Sequence, residues 1–179
     1  MEIINTLLGF LTFISQIFLF VGGVYFLVFR KKGENALISF FARNGILFAF
    51  LTAAAATLIS LLYSEIAGFA PCNLCWWQRI FIYPNALLLG IAWWKKDSKI
   101  VEYALPIAII GGLIALYHTY IGYGGTSFFP CSAAGEVSCA KRYVFELGYI
   151  TIPLMSLTSF ALITFFLWLK KSFMATTQE

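Results

Sequence analysis

At five places along the chain, apolar residues run nearly unbroken for about twenty positions, with polar and charged residues gathered between them. The runs are Ile3 to Phe29, Asn44 to Glu65, Trp76 to Trp94, Val101 to Gly122 and Tyr149 to Leu169. At about 1.5 Å rise per residue, a helix of roughly 20 residues crosses a hydrocarbon core of about 30 Å. The pattern therefore predicts five transmembrane helices and an all-α, polytopic membrane protein. On the second run Gly45, Ala49, Ala53 and Thr57 recur every four residues, and Ala104, Ala108 and Gly112 do so on the fourth. Small residues at that spacing let helix backbones approach closely where lipid removes the hydrophobic drive to associate. Four core helices are expected from the second run onward, with the first helix peripheral. Pro84, Pro106 and Pro153 each fall in a run and are expected to bend it.

Composition agrees with this picture and excludes a soluble domain. Hydrophobic residues make up 61% of the 179 and charged residues only 11%, too few to cover a water-facing surface. Mean hydropathy is +0.86. The longest stretch outside the runs is roughly 25 residues, well short of the ~50 that an independent domain needs. Net charge is +4, yet the basic residues cluster beside apolar runs, which points to membrane orientation rather than nucleic-acid binding. Arg30, Lys31, Lys32 and Arg43 separate the first two runs; Lys95, Lys96 and Lys99 separate the third and fourth; Lys170 and Lys171 follow the fifth. Nine of the twelve basic residues thus share one side, leaving Arg79, Lys141 and Arg142 for the other. By the positive-inside tendency the N-terminus is outside and the C-terminus cytoplasmic. The first run lacks a basic leader and a small-residue cleavage site, so it is expected to stay as a helix. The expected units are an extra N-terminal helix with its loop (1–36), a four-helix transmembrane domain (37–172) and a cytoplasmic tail (173–179).

That orientation puts all four cysteines on the extracytoplasmic side, where disulfides persist. Cys72 and Cys75 lie between the second and third runs, and Cys131 and Cys139 between the fourth and fifth. An even count in two pairs suits two disulfides. Pro71-Cys72-Asn73-Leu74-Cys75 leads directly into a membrane helix, whose positive N-terminal end favours a thiolate. This pair is expected to be reactive. Cys131 and Cys139 instead flank a polar stretch after Gly124 and Gly125, open to attack by another protein's thiol. Two other readings fit the same cysteines: one zinc site, although second-half ligand spacing is missing, and two inert loop staples.

Arg79 follows Cys75 by one helical turn, and the only histidine, His118, sits about as deep from the outer end of the fourth run. Ionisable residues within a span are functional candidates by default. Arg79 can stabilise a Cys75 thiolate and negative charge developing on a quinone oxygen; His118 can donate a hydrogen bond or proton there. Snorkelling of Arg79 toward headgroups, and a plain interfacial place for His118 among Tyr117, Tyr120 and Tyr123, are the competing readings.

Pro71-Cys72-Asn73-Leu74-Cys75-Trp76-Trp77-Gln78-Arg79 with Tyr83-Pro84, Tyr117-His118-Thr119, the second cysteine pair and Gly148-Tyr149-Ile150-Thr151-Ile152-Pro153 together resemble the DsbB/BdbC family of bacterial disulfide-forming membrane proteins. The resemblance covers roughly residues 40 to 170 and is closest to the BdbC branch. It implies a four-helix bundle holding two communicating disulfides and a quinone, either ubiquinone or menaquinone. It also implies a DsbA/BdbD-type thioredoxin-fold partner that attacks Cys131, release of Cys139 onto Cys72, and a Cys75 thiolate beside a quinone assisted by Arg79 and His118. No metal is implied. Two features depart from the family pattern: the run at Ile3 to Phe29 is extra, and the short spacing of Cys131 and Cys139 requires the loop to move if Cys139 is to reach Cys72. A vitamin-K-epoxide-reductase-like enzyme would carry its Cys-X-X-Cys late in the bundle, and outward electron flow from the cytosol needs a thiol on that side.

Overall fold

Residues 2–29, 36–127 and 137–176 are described by a computed structural model, and all its regular elements are helices. They are α1 (Glu2–Phe29), α2 (Ala36–Arg43), α3 (Gly45–Leu61), α4 (Asn73–Lys95), α5 (Ile100–Gly122) and α6 (Ile152–Thr176). The wider turns of Leu62–Ile66 extend α3 as a π-helix. Among the described residues, four helices are long and apolar enough to cross a membrane: α1, α3 with its π extension, α5 and α6. The fifth expected span, α4, is long enough at 23 residues, but Gln78, Arg79, Asn85 and four tryptophans make it more polar than the others.

Helices α3, α4, α5 and α6 pack in a closed ring, each against the next and α6 back against α3. The first helix lies outside on α6, as expected of a peripheral element. Unforeseen in the sequence, α2 forms a short amphipathic helix also held on α6. Phe41 of α2 stacks on Phe166 and meets Phe18 edge-on, joining three helices through one aromatic cluster.

The small-residue stripe is buried on α3 at Gly45, Ala49 and Ala53, while Thr57 is only half-buried. A Cβ on Gly45 would sit 2.7 Å from the Phe166 carbonyl oxygen. On α5 the stripe is Ala104, Ala108, Gly111 and Ala115, so Gly111 takes the close-approach place expected of Gly112. The reason is rotation: Phe160 of α6 packs over Gly111, 2.4 Å from where a Cβ would stand. Pro84 and Pro106 lie inside α4 and α5, but Pro153 is in the first turn of α6, where no helical hydrogen bond is lost. Helix α6 also continues to Thr176, past the expected start of the tail.

One end of the bundle gathers the start of α1, the end of α3, the start of α4, the end of α5 and the start of α6. Tyr63 donates to Asn5 Oδ1 at 3.1 Å, and Arg142 donates to the Gly122 carbonyl at 2.8 Å. At the other end Lys170 Nζ donates to the Arg43 carbonyl at 3.4 Å. Thus Cys72, Cys75 and Cys139 share the first end, and Arg43 and Lys170 the second. The loop residues Phe128, Phe129 and Cys131 lie outside the described residues.

Candidate functional site

Cys72 is the N-cap of α4, in extended backbone just before the first turn, and it is buried. Cys75 lies one turn on. Their sulfurs are 3.2 Å apart and both are free thiols, while Cys139 is disulfide-bonded. Cys72 and Cys139 pack with Ile121 in a small apolar cluster beneath the 137–151 segment. That segment is held by Tyr143, whose ring stacks on Phe69 and whose hydroxyl donates to the Ala70 carbonyl at 3.2 Å. The two cysteine-bearing loops are therefore clamped to one another.

His118 lies between them. Its Nε2 is 3.6 Å from Cys72 Sγ and 3.2 Å from the Cys139 carbonyl oxygen, and its Nδ1 is 2.8 Å from Gln78 Nε2. With Gln78 donating to Nδ1, Nε2 carries the proton and donates toward Cys72 and Cys139. At 3% exposure His118 is a buried residue, enclosed by the protein. The Cys72 thiol is held down from the ordinary 9.0 to about 4. A hydrogen bond from Cys75 contributes most; burial opposes the shift, and the hydrogen bond from His118 adds to it.

Arg79 points away from this cluster. Its Nε donates to Ser60 Oγ at 3.0 Å and its Nη2 to the Ser60 carbonyl at 3.2 Å, with the guanidinium 5.0 Å from the Trp76 ring centre. Tyr83 also donates to Ser60 Oγ, at 3.3 Å. Arg79 is therefore tethered across to α3 rather than extended toward headgroups. Together with Cys75 and Gln78 it lines a cavity of about 390 Å³, within the range of small-molecule sites. Its other walls are largely apolar and come from α1, α3, α4 and α6. Cys75 is the one cysteine among its lining residues, whereas Cys72, Cys75 and Cys139 all border a second, smaller cavity beside His118.

The arrangement brings five of the six predicted residues to one end of the bundle, Cys131 lying outside the described residues. Gln78 and Ser60 were missed. Gln78 had a signal, being an uncharged polar residue inside a membrane helix; Ser60 had none. Cys72, Cys75 and His118 place ligand atoms within 4.8 Å of one another, so the reduced pair with the imidazole could hold a thiophilic cation.

A helical membrane bundle with a Cys-X-X-Cys activated by hydrogen bonds at a helix start is the framework of a membrane oxidoreductase of disulfide chemistry. Residues 42–170 match the family described as Disulfide bond formation protein DsbB, and the chain belongs to that family. It is 47% identical over 131 residues to the probable disulfide formation protein C of Bacillus cereus, covering 73% of this chain and 88% of that protein. It is 42% identical over 137 residues to the disulfide bond formation protein C of Bacillus subtilis, covering 72% and 96%. The probable disulfide formation protein of Chlamydia caviae is 36% identical over 136 residues, 76% of this chain and 98% of that one. No solved structure matches the chain. Helix α1 lies outside the matched residues.

Proposed function

We propose that this chain re-oxidises an extracytoplasmic thioredoxin-fold dithiol oxidase of the DsbA/BdbD type and delivers the electrons to a membrane quinone. All five long helices span the bilayer in this reading, α4 included, because its polar side chains face α3, α5 and the cavity. The N-terminus is outside, the C-terminus cytoplasmic, and both cysteine pairs are extracytoplasmic. The observation that carries the proposal is the two-sided placement of one Cys-X-X-Cys: Cys72 faces His118 and Cys139, while Cys75 faces a largely apolar cavity beside Arg79.

The partner's thiolate attacks Cys131 and breaks its bond to Cys139, which leaves as a thiolate. Cys139 attacks Cys72, breaking the Cys72–Cys75 bond and releasing Cys75 toward the cavity. A second partner thiolate resolves the mixed disulfide at the partner's own sulfur, so the partner ends as a disulfide. The freed Cys131 thiolate attacks Cys139, re-forming their disulfide and displacing Cys72, so Cys72 and Cys75 are left as the dithiol that a quinone would oxidise back to the disulfide. His118 holds a proton at Nε2 for departing sulfur at Cys72, and Arg79 balances negative charge at the cavity wall. The cavity residues fit a quinone, which supplies the acceptor for two electrons and two protons. Cys75, Arg79 and Gln78 are the residues that would hold its polar head, and the leucines and isoleucines around them its ring.

Purified protein given reduced partner and quinone is expected to convert quinone to quinol, and Cys75→Ser to abolish this while still exchanging thiols with the partner. Quinol formation at the unaltered rate in Cys75→Ser would defeat the proposed route. A metal-centre reading draws on the closeness of Cys72, Cys75 and His118; stoichiometric metal in purified protein, with activity lost on chelation and regained on adding the metal back, would favour it over free redox thiols.

A further inference from the structure

Helix α1 lies outside the part of the chain that defines the family, yet it borders the cavity beside Cys75 and Arg79. Its outward face is Ile3, Leu7, Phe10, Ile14, Ile17 and Val21, all exposed as a lipid-facing surface would be. The opposite face of its first half is polar or small and meets the bundle at fixed points. Asn5 accepts from Tyr63; Gln16 accepts from Tyr149 at 2.8 Å and donates to Thr158 Oγ1 at 3.2 Å. Gly9 allows close approach to Glu146, whose Cβ is 2.8 Å from where a glycine Cβ would stand. Hydrogen bonds of this kind across helices hold position in lipid, where apolar contact alone does not. Between the fixed points Leu8, Leu11, Thr12 and Ser15 line the cavity.

Helix α1 packs along α6 and touches α3 near the Asn5 end, so the cavity is covered from one side only. Leu11 on α1 and Leu51 on α3 both line it, and they are 56% and 51% exposed. A residue that lines a cavity and is also half exposed marks its mouth, and at this depth the mouth opens to lipid.

We infer that α1 is the outer wall of the acceptor site and that Leu11 and Leu51 frame a lateral opening through which the apolar tail of a quinone lies. This rests on the quinone reading above and adds a specificity-determining element from outside the family core. Head-group chemistry is left to Cys75 and Arg79, and α1 selects for the tail.

The test uses the full chain in lipid vesicles, reduced partner, and two acceptors: a long-tailed isoprenoid quinone and its tailless analogue. Leu11→Trp and Leu51→Trp, which narrow the opening, are expected to raise KM for the long-tailed quinone about tenfold and for the tailless one less than about twofold. Ile14→Trp, on the outward face of the same helix, should leave both values unchanged and so controls for folding and insertion. Equal effects on the two acceptors, or none on either, would overturn the role of α1 while the quinone reading stands. Failure of the unaltered protein to reduce either acceptor would overturn both.

Discussion

His118 illustrates how one side chain is set by its partners. Gln78 at Nδ1 fixes which nitrogen carries the proton, and that proton faces the sulfur of Cys72 and the backbone of Cys139. Cys72 in turn is charged at pH values where a free thiol is not. Because its value in the folded protein is depressed to about 4, the thiolate persists as pH falls and is lost only as pH drops through that value. In the dithiol form, alkylation of Cys72 followed by mass spectrometry should therefore stay level from about pH 8 to about pH 5 and fall below it. His118→Ala, which removes a contributor to the shift, should move the fall to higher pH. A profile centred near about 8.5, the ordinary thiol value, would remove the case for an activated Cys72. Arg79 depends similarly on Ser60, a residue with no chemistry of its own that holds the guanidinium at the cavity wall through two hydrogen bonds.

At the scale of elements, the rotation of each helix decides which residues meet. The third helix ends in π turns, which bring Tyr63 to Asn5 and Ser64 to the cavity. The fifth and sixth helices are set by Phe160 against Gly111. Phe160 is wholly buried and has no room to withdraw, so Gly111→Ala should destabilise the protein by about 1–3 kcal/mol. Gly112→Ala, whose new Cβ would meet Phe160 Cβ at an ordinary 3.5 Å, should change stability little. Thermal unfolding in detergent separates the two, and an equal loss in both variants would contradict the observed rotation. Helix α4 is the most polar of the long helices for a related reason. Gln78 and Arg79 belong to the site, and helices on both flanks shield that polarity from lipid.

For the whole molecule, the site depends on which end of the bundle faces the oxidising side. In a variant whose native cysteines are replaced by serine, Lys141→Cys should react with an impermeant maleimide in intact cells. Lys96→Cys should react only after the membrane is opened. The reverse labelling would place the thiol chemistry in the reducing compartment and contradict the proposed electron route.

The positions of the long helices were legible in the sequence, because about 20 residues of local composition decide whether a segment crosses lipid. The Cys-X-X-Cys was equally legible at the start of α4, as was the spacing of Arg79 one turn on, since a helix places near neighbours by geometry alone. Contacts between distant segments were not. Gln78 reaches His118 across 40 residues and Ser60 meets Arg79 across 19, and neither pairing has a local signature. The choice of Gly111 over Gly112, the burial of His118 and the place of α1 at the cavity likewise follow from how the helices rotate and lean. Those angles are settled by the packing of small residues against large ones from every helix at once, and only the folded bundle contains that information.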